Sequence, residues 1–590
     1  MSNHQPAPGP RSAAPTPWER LRRPFRQWET RLLVVLSLVI GVGAGLGAYA
    51  FRWLVAFVQH LFWAQGASLI PWTPLATVLL PAAGGALVGP LVYFLAREAK
   101  GHGVPEVMAA IAEQRGRIRV RVVFVKALAS AFCIGSGGSA GREGPIVQIG
   151  AALGSALGQV MKLPVGLLRT VLAAGAAGGI AATFNAPIAG VVFSLEVLLR
   201  EFSARAFSVV VLASVTATVI SRALLGDFPA FFVPAYELRS AWEFLFYALL
   251  GVLAAVVARA FIWSIYRCED VFDAWRIPEY VKPIVGGLFI GLMGLALPQV
   301  FGVGYETVSE VLKGDLPLGL LATLVVAKLV ATSLTLGSGG SGGIFSPSLF
   351  MGAMLGGTVG RVFHDLFPDV TAPSGAYALV GMAAVFGGAA HAPITSIIII
   401  FEMTGDYRII LPLMTSVVIS TLISRFLSQE TIYTLKLRRR GIDILAPRDQ
   451  DPLARIRVGD VMTANVVTLP DTLPLPAVVE SFRRHSFTSF PVLDGRGRLL
   501  GMLGYDELRD VVMSEHPSEA AGLTARDLMR PPAAAAHPDE TLSDVMGRMA
   551  HEGVGRLPVV SREDGAVLLG IISRRDVLGA YERSVLGRGR

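Results

Sequence analysis

Glu143 is the residue whose type and setting most need a chemical account. It lies in Gly141-Arg142-Glu143-Gly144-Pro145, at the head of a long run without charges. An ionisable group in an apolar stretch costs about 2.5–3.5 kcal/mol on membrane-insertion scales, so it usually has a task. Two comparable turns, Gly101-His102-Gly103-Val104-Pro105 and Gly343-Ile344-Phe345-Ser346-Pro347, also precede apolar segments. Glycine lets the backbone approach a ligand, and proline suits the first turn of a helix. Free N–H groups and the helix dipole at such a start favour negative charge. Converging starts of this kind could hold a desolvated anion with no full positive charge, which leaves the ion free to depart. A carboxylate there can occupy the anion's place itself, swing away or take a proton. The plainer alternative is a capping acid or an ion pair with Arg142. Against it, the second-half positions that correspond to Arg142 and Glu143 carry Ile344 and Phe345.

The elements that must position these turns repeat. Residues 135–158 read GSGGSAGREGPIVQIGAALGSALG, and 337–360 read GSGGSGGIFSPSLFMGAMLGGTVG, aligned without a gap with Pro145 on Pro347. A second pair follows in the same order, NAPIAGVVFSLE at 185–196 and HAPITSIIIIFE at 391–402, with Glu196 opposite Glu402. Around these, segments 32–59, 74–96, 206–225 and 243–265 are long enough to cross a bilayer. Those near 146–160, 187–198, 345–360 and 391–403 are too short for a full span and begin after Gly/Pro clusters. Irregular backbone at membrane depth survives only when buried or lining an aqueous cavity, so two homologous halves with broken helices point to a transport pathway.

Composition agrees. Of 590 residues, 53% are hydrophobic and 16% charged, with 64 Gly and 36 Pro. Soluble chains carry about 25% charged residues, which argues against an ordinary soluble enzyme. Residues 31–430 are roughly 11% charged and the flanks together about 26%, a membrane region joined to a soluble one. The net charge of +8 comes with basic clusters beside the apolar spans: Arg20, Arg22, Arg23 and Arg26; Arg115, Arg117, Arg119 and Arg121; Arg438, Arg439 and Arg440. These are places for cytoplasmic loops rather than a nucleic-acid surface, while 227–241 and 363–374 read as outward-facing. Cys133 and Cys268 make no disulfide framework, and no CxxC or other metal-ligand spacing is present.

Beyond about 446 a second tandem repeat begins. One copy runs from Val458-Gly459-Asp460-Val461-Met462 through Phe490-Pro491-Val492 to Gly501-Met502-Leu503, and the other from Ala525-Arg526-Asp527-Leu528-Met529 through Leu557-Pro558-Val559 to Gly570-Ile571-Ile572. Short β-runs alternate with amphipathic helical patterns in both. The tandem resembles a pair of CBS domains, regulatory modules with clefts for adenine nucleotides. Only the second copy ends in Gly570-Ile571-Ile572-Ser573-Arg574-Arg575-Asp576, similar to the nucleotide signature in which Ser573 would meet phosphate and Asp576 the ribose. A purely structural pair is the alternative.

The three Gly-rich motifs in this order, with the repeat, resemble the CLC family of chloride channels and chloride/proton exchangers over nearly the whole chain. The resemblance implies an α-helical polytopic membrane protein with two inverted repeats and broken helices, followed by an α/β tandem CBS domain. The boundaries expected are a cytoplasmic, partly disordered tail at 1–30 and a transport domain at 31–437 with halves at about 31–225 and 243–437. A linker at 438–456, CBS domains at 457–515 and 523–590, and a linker at 516–522 complete the chain. The family further implies a homodimer with one pore per subunit, in the cytoplasmic (inner) membrane among lipid, with both termini cytoplasmic. No required cofactor or metal is implied, only a regulatory adenine nucleotide at the CBS pair.

By the same resemblance Glu143 is the gating glutamate, Tyr433 an anion donor near the cytoplasmic end of the pore, and His102, Gly103, Arg142, Ile344 and Phe345 the remaining anion-binding positions. Two positions depart from the family pattern. His102 stands where Ser is frequent; imidazole can donate to an anion and titrates near neutrality, although its side chain could also point away. Chloride is the expected anion, and fluoride stays open because some members prefer it. Val197 stands where many exchangers carry the inner proton-accepting glutamate, beside Glu196, which reads as structural because Glu402 repeats it. Exchange with protons and passive conduction both remain open, with a slight lean to exchange. A membrane metalloprotease would need HExxH, and the only His-Glu pair, His551-Glu552, lies in the soluble part. An ATP-driven pump would need GxxxxGK[ST], which is absent.

Overall fold

The computed structural model describes residues 17–70, 72–227, 231, 236, 238–444, 452–485, 487–512 and 522–586, with side chains from Arg31 onward except at 69, 205, 452, 510, 512, 585 and 586. Residues 1–16, most of the 516–522 linker, the middle of the 438–456 linker and much of the 227–241 stretch lie outside the described residues. So do the side chains of Arg20, Arg22, Arg23 and Arg26. The chain divides into two units, Met1–Ile444 and Leu445–Arg590.

The first unit is a multi-pass membrane protein. Among the described residues seven helices are long and apolar enough to cross a membrane: Arg31–Gly66, Thr73–Leu95, Val165–Phe184, Ala206–Leu225, Glu243–Ala274, Leu318–Gly337 and Ile410–Leu427. Three further helices start at the Gly-rich turns, Val104–Ala112 of 9 residues, Glu143–Val160 of 18 and Phe345–Leu366 of 22, each with its proline in the first turn; the last two run longer than the short segments read from the sequence. Helix Ser374–Ala390 is buried along its whole length, as an all-round apolar helix must be.

Backbone-to-backbone contact through glycine joins the elements of each half. A Cβ added at Gly150 would lie 2.2 Å from the carbonyl oxygen of Gly175, and one at Gly154 2.3 Å from that of Val171. The second half repeats this, with Gly352 at 2.3 Å from Gly381 O and Gly356 at 2.0 Å from Tyr377 O. After these helix pairs Asn185 and His391 take the same left-handed conformation (φ 58 and 52), and the chain enters the short helices Pro187–Phe193 and Pro393–Thr404. The halves also touch directly. Gly141 and Gly343, equivalent in the repeat, exchange both backbone hydrogen bonds in an antiparallel bridge, at 2.7 and 2.5 Å. A residue pairing antiparallel with its own equivalent marks a local two-fold relation between the halves.

The three arginines at 438–440 are each ion-paired within this unit: Arg438 with Glu430 and Arg440 with Glu106, both at 2.8 Å, and Arg439 with Asp270 at 2.7 Å.

In the second unit, strands β1 (Leu469–Pro470), β2 (Ser489–Leu493) and β3 (Leu499–Gly504) form one sheet, and β4 (Arg556–Val560) and β5 (Leu568–Ser573) form another. The antiparallel pairs β2–β3 and β4–β5 carry the same irregularity, at Val492/Leu493 and Val559/Val560. The leading segments are exchanged. Val458 packs in the core of the second copy with Leu542, Val545 and Ile572, whereas Ala525 and Leu528 pack in that of the first with Val478 and Phe490. Each copy thus completes the hydrophobic core of the other.

Candidate anion-binding site

His102, Glu143, Ile344, Phe345 and Tyr433 line one narrow cavity together with apolar side chains including Val147, Ile180 and Phe193. The chain folds so because three helices begin here, each after a Gly-rich turn. Gly103 has φ 83, a conformation that L side chains rarely adopt, and its missing Cβ would sit 2.8 Å from the carbonyl oxygen of Gly144. The first and second turns therefore meet backbone to backbone. Glu143 opens helix Glu143–Val160, and Phe345 opens helix Phe345–Leu366. Tyr433 immediately precedes the short helix Thr434–Arg439 and is buried.

Polar chemistry in the cavity is sparse. His102 is 3% exposed, and neither of its ring nitrogens has a hydrogen-bond partner among the described residues. Its ring lies 5.9 Å from that of Tyr433. The imidazole thus points toward the site rather than away, and an anion would satisfy an otherwise orphaned donor. Glu143 is 1% exposed; Oε1 accepts a hydrogen bond from the Tyr305 hydroxyl at 2.7 Å, and Oε2 has no hydrogen-bond partner among the described residues.

Arg142 departs from the expectation of an anion ligand, because its side chain does not line the cavity. The guanidinium lies over the Tyr305 ring at 5.3 Å, with Nε 3.9 Å from Glu143 Oε1. The attraction of a cation for an aromatic face draws it sideways.

A second cavity is lined by Lys100, Gly101, Glu269 and Lys436, and His102 belongs to its wall as well. His102 therefore separates an apolar chamber from a charged one. Val197 is buried in the π-helical turn Ser194–Leu199 that follows Pro187–Phe193. The neighbouring Glu196 accepts hydrogen bonds from the backbone of Ile394 and Thr395.

Sequence reading missed two features. Gly302-Val303-Gly304-Tyr305 copies Gly101-His102-Gly103-Val104, with both glycines of each turn at positive φ. The first turn places His102 on the cavity wall, and its copy places Tyr305 on the Glu143 carboxylate. The other miss is a repeated buried lysine. Lys126 donates to the carbonyls of Ala99 and Gly101, and Lys328 to those of Val300 and Gly302. Each ammonium ties down the strand of chain leading into one of these turns. The lysines share the spacing of Gly135 and Gly337, which was the available signal.

In the second unit, Ser573 Oγ donates to the Asp576 carboxylate at 2.6 Å, and the Asp576 N–H donates back to Ser573 Oγ at 3.3 Å. The two form a reciprocal cap at the start of helix Arg574–Leu586. In the first copy Glu507 plays the acidic part alone, accepting from the Gly504 N–H at 3.1 Å.

Comparison with known proteins follows these divisions. The voltage-gated chloride channel family model matches residues 84–425, and the CBS domain model matches 458–514 and 525–583. The H(+)/Cl(-) exchange transporter ClcA of Salmonella agona is 32% identical over 452 residues, covering 74% of this chain and 94% of that protein. The crystal structure of a slow cyanobacterial Cl-/H+ antiporter superposes with a TM-score of 0.64 at 27% identity, covering 71% of this chain and 99% of that one. That of a CLC-type fluoride/proton antiporter gives 0.60 at 26% identity, over 69% and 98%.

Proposed function

Because this chain belongs to the voltage-gated chloride channel (CLC) family, we propose that it carries chloride across the cytoplasmic membrane in exchange for protons, gated by Glu143. The observation that supports this reading is the single cavity into which Glu143, His102, Ile344, Phe345 and Tyr433 all face. Helix starts attract the anion, the apolar wall strips its water, and the carboxylate of Glu143 competes for the same space. Protonation of Glu143 removes that competition and loads a proton, which couples the two fluxes.

Passive conduction is the second reading, favoured by Val197 where many exchangers have an acid. Fluoride is the alternative cargo, since His102 replaces the frequent serine. The working form in this proposal is a homodimer in lipid with cytoplasmic termini. The CBS pair is its regulator, taking an adenine nucleotide at Ser573 and Asp576 once the ligand displaces their mutual hydrogen bonds. The deciding experiment is the reversal potential of reconstituted protein under crossed chloride and pH gradients. A value tracking chloride alone means a channel, and a shift with pH means exchange. Absence of anion flux from liposomes would overturn both readings.

A further inference from the structure

We propose that Tyr305 is a latch that holds Glu143 in its closed position and so sets the pH at which the pathway opens. The inference rests on the gating reading of Glu143 and adds a positioning residue to it.

Tyr305 is the first residue of helix Tyr305–Lys313 and follows Gly304, whose φ is 84. A Cβ at Gly304 would lie 2.6 Å from the Phe350 ring, so this turn is fixed by packing and the tyrosine leaves it in one direction. Its ring is held between the edge of Phe231, with centroids 5.1 Å apart, and the Arg142 guanidinium at 5.3 Å. The hydroxyl lies 2.7 Å from Glu143 Oε1 and 3.1 Å from Ser346 Oγ. Ser346 belongs to the Gly-rich turn of the second half, so this one hydroxyl bridges the anion-facing turns of both halves. Tyr305 is partly exposed and does not line the anion cavity, whereas Glu143 does line it and is buried. The latch therefore grips the carboxylate from outside the anion's path.

The charged and titratable groups facing Glu143 are few. Arg142 approaches to 3.9 Å from its own turn, His102 and Tyr433 stand on the same cavity wall, and Arg52 interacts with Arg142 and Tyr305. Among the described residues Tyr305 alone donates a hydrogen bond to the Glu143 side chain. A hydrogen bond donated to a carboxylate favours its ionised form and one rotamer. Protonation weakens that bond, so acid releases the latch and the gate together.

The test is anion efflux from liposomes at stepped pH for the wild type, Tyr305→Phe, Glu143→Gln and the double variant, with thermal stability measured on the same preparations. Phenylalanine keeps the ring between Phe231 and Arg142 and removes only the hydroxyl. The expected result is a pH midpoint raised by about one unit in Tyr305→Phe, a tenfold change in proton concentration. The double variant should be as flat with pH as Glu143→Gln. If Glu143→Gln keeps its pH dependence, the gate reading falls and the latch with it. If that variant is flat but Tyr305→Phe leaves the midpoint in place, whatever happens to total flux, the latch alone falls.

Discussion

Glu196 and Glu402 each close the start of the helix that carries the other. Glu402 accepts from the N–H groups of Ile188 and Ala189, at 2.9 and 2.7 Å, at the head of the segment that leads to Glu196. Glu196 accepts from Ile394 and Thr395, at 3.2 and 2.8 Å, at the head of helix Pro393–Thr404, which holds Glu402. Each half thereby supplies the negative charge that the other half's helix dipole favours.

This exchange makes both acids structural. Glutamine offers one acceptor oxygen where the carboxylate offers two, so Glu402→Gln and Glu196→Gln should each lower stability by about 1.5–3 kcal/mol, the range of hydrogen bonds to charged groups. Thermal unfolding in detergent measures the cost. The pH profile of transport should stay that of the wild type in Glu196→Gln; a shifted profile would return Glu196 to the proton pathway.

The glycine contacts should be equally intolerant in the two halves. A methyl at Gly150 or Gly352 would meet a carbonyl oxygen at 2.2 or 2.3 Å. Alanine at either position forces the paired helices apart at a cost of about 1–3 kcal/mol or more. Melting temperatures of the two purified variants should fall together.

His102 should contribute binding rather than gating. Removing its orphaned donor in His102→Ala should weaken anion binding about 5–10-fold, the worth of one hydrogen bond. Titration calorimetry with chloride reads this directly, and unchanged affinity would mean that backbone amides alone hold the ion.

In the second unit, burial works against the charge of Glu540, but hydrogen bonds from Arg548 and the His537 N–H outweigh it. They hold the carboxyl below its ordinary 4.5. Its stabilisation is therefore complete above that value and lost as pH falls through the depressed one. Thermal scans of the full chain between pH 7 and pH 4 should show the CBS transition losing stability more steeply at the acid end than in Glu540→Gln.

Much of this was legible in the residues. The motif at 135–158 and its copy at 337–360 are long enough to align by eye, and they placed Glu143, Ile344 and Phe345 at helix starts. Tyr305 was not legible, because Gly302-Val303-Gly304-Tyr305 shares only its glycines with Gly101-His102-Gly103-Val104 and lacks the proline. Two glycines at that spacing are common wherever a chain turns. The orientation of Arg142 was hidden for a different reason: its partner is an aromatic ring far away in the chain. The exchange of leading segments between the CBS copies was hidden too, since Val458 and Ala525 occupy matching places in either arrangement.

The glycine-to-carbonyl contacts have a mechanical consequence. Helices seated with no side chain between them have nothing to slide on, and close-packed interiors do not deform gradually. These contacts make each half rigid, and a cycle that rocked one half against the other would break instead the Gly141–Gly343 backbone bridge and the crossed contacts of Glu196 and Glu402 on every turnover. Rotation of one carboxylate about its own side-chain bonds breaks none of them. Under the proposed gating by Glu143 the working part is a rotor in a fixed housing, and its stroke a side-chain torsion rather than a domain hinge.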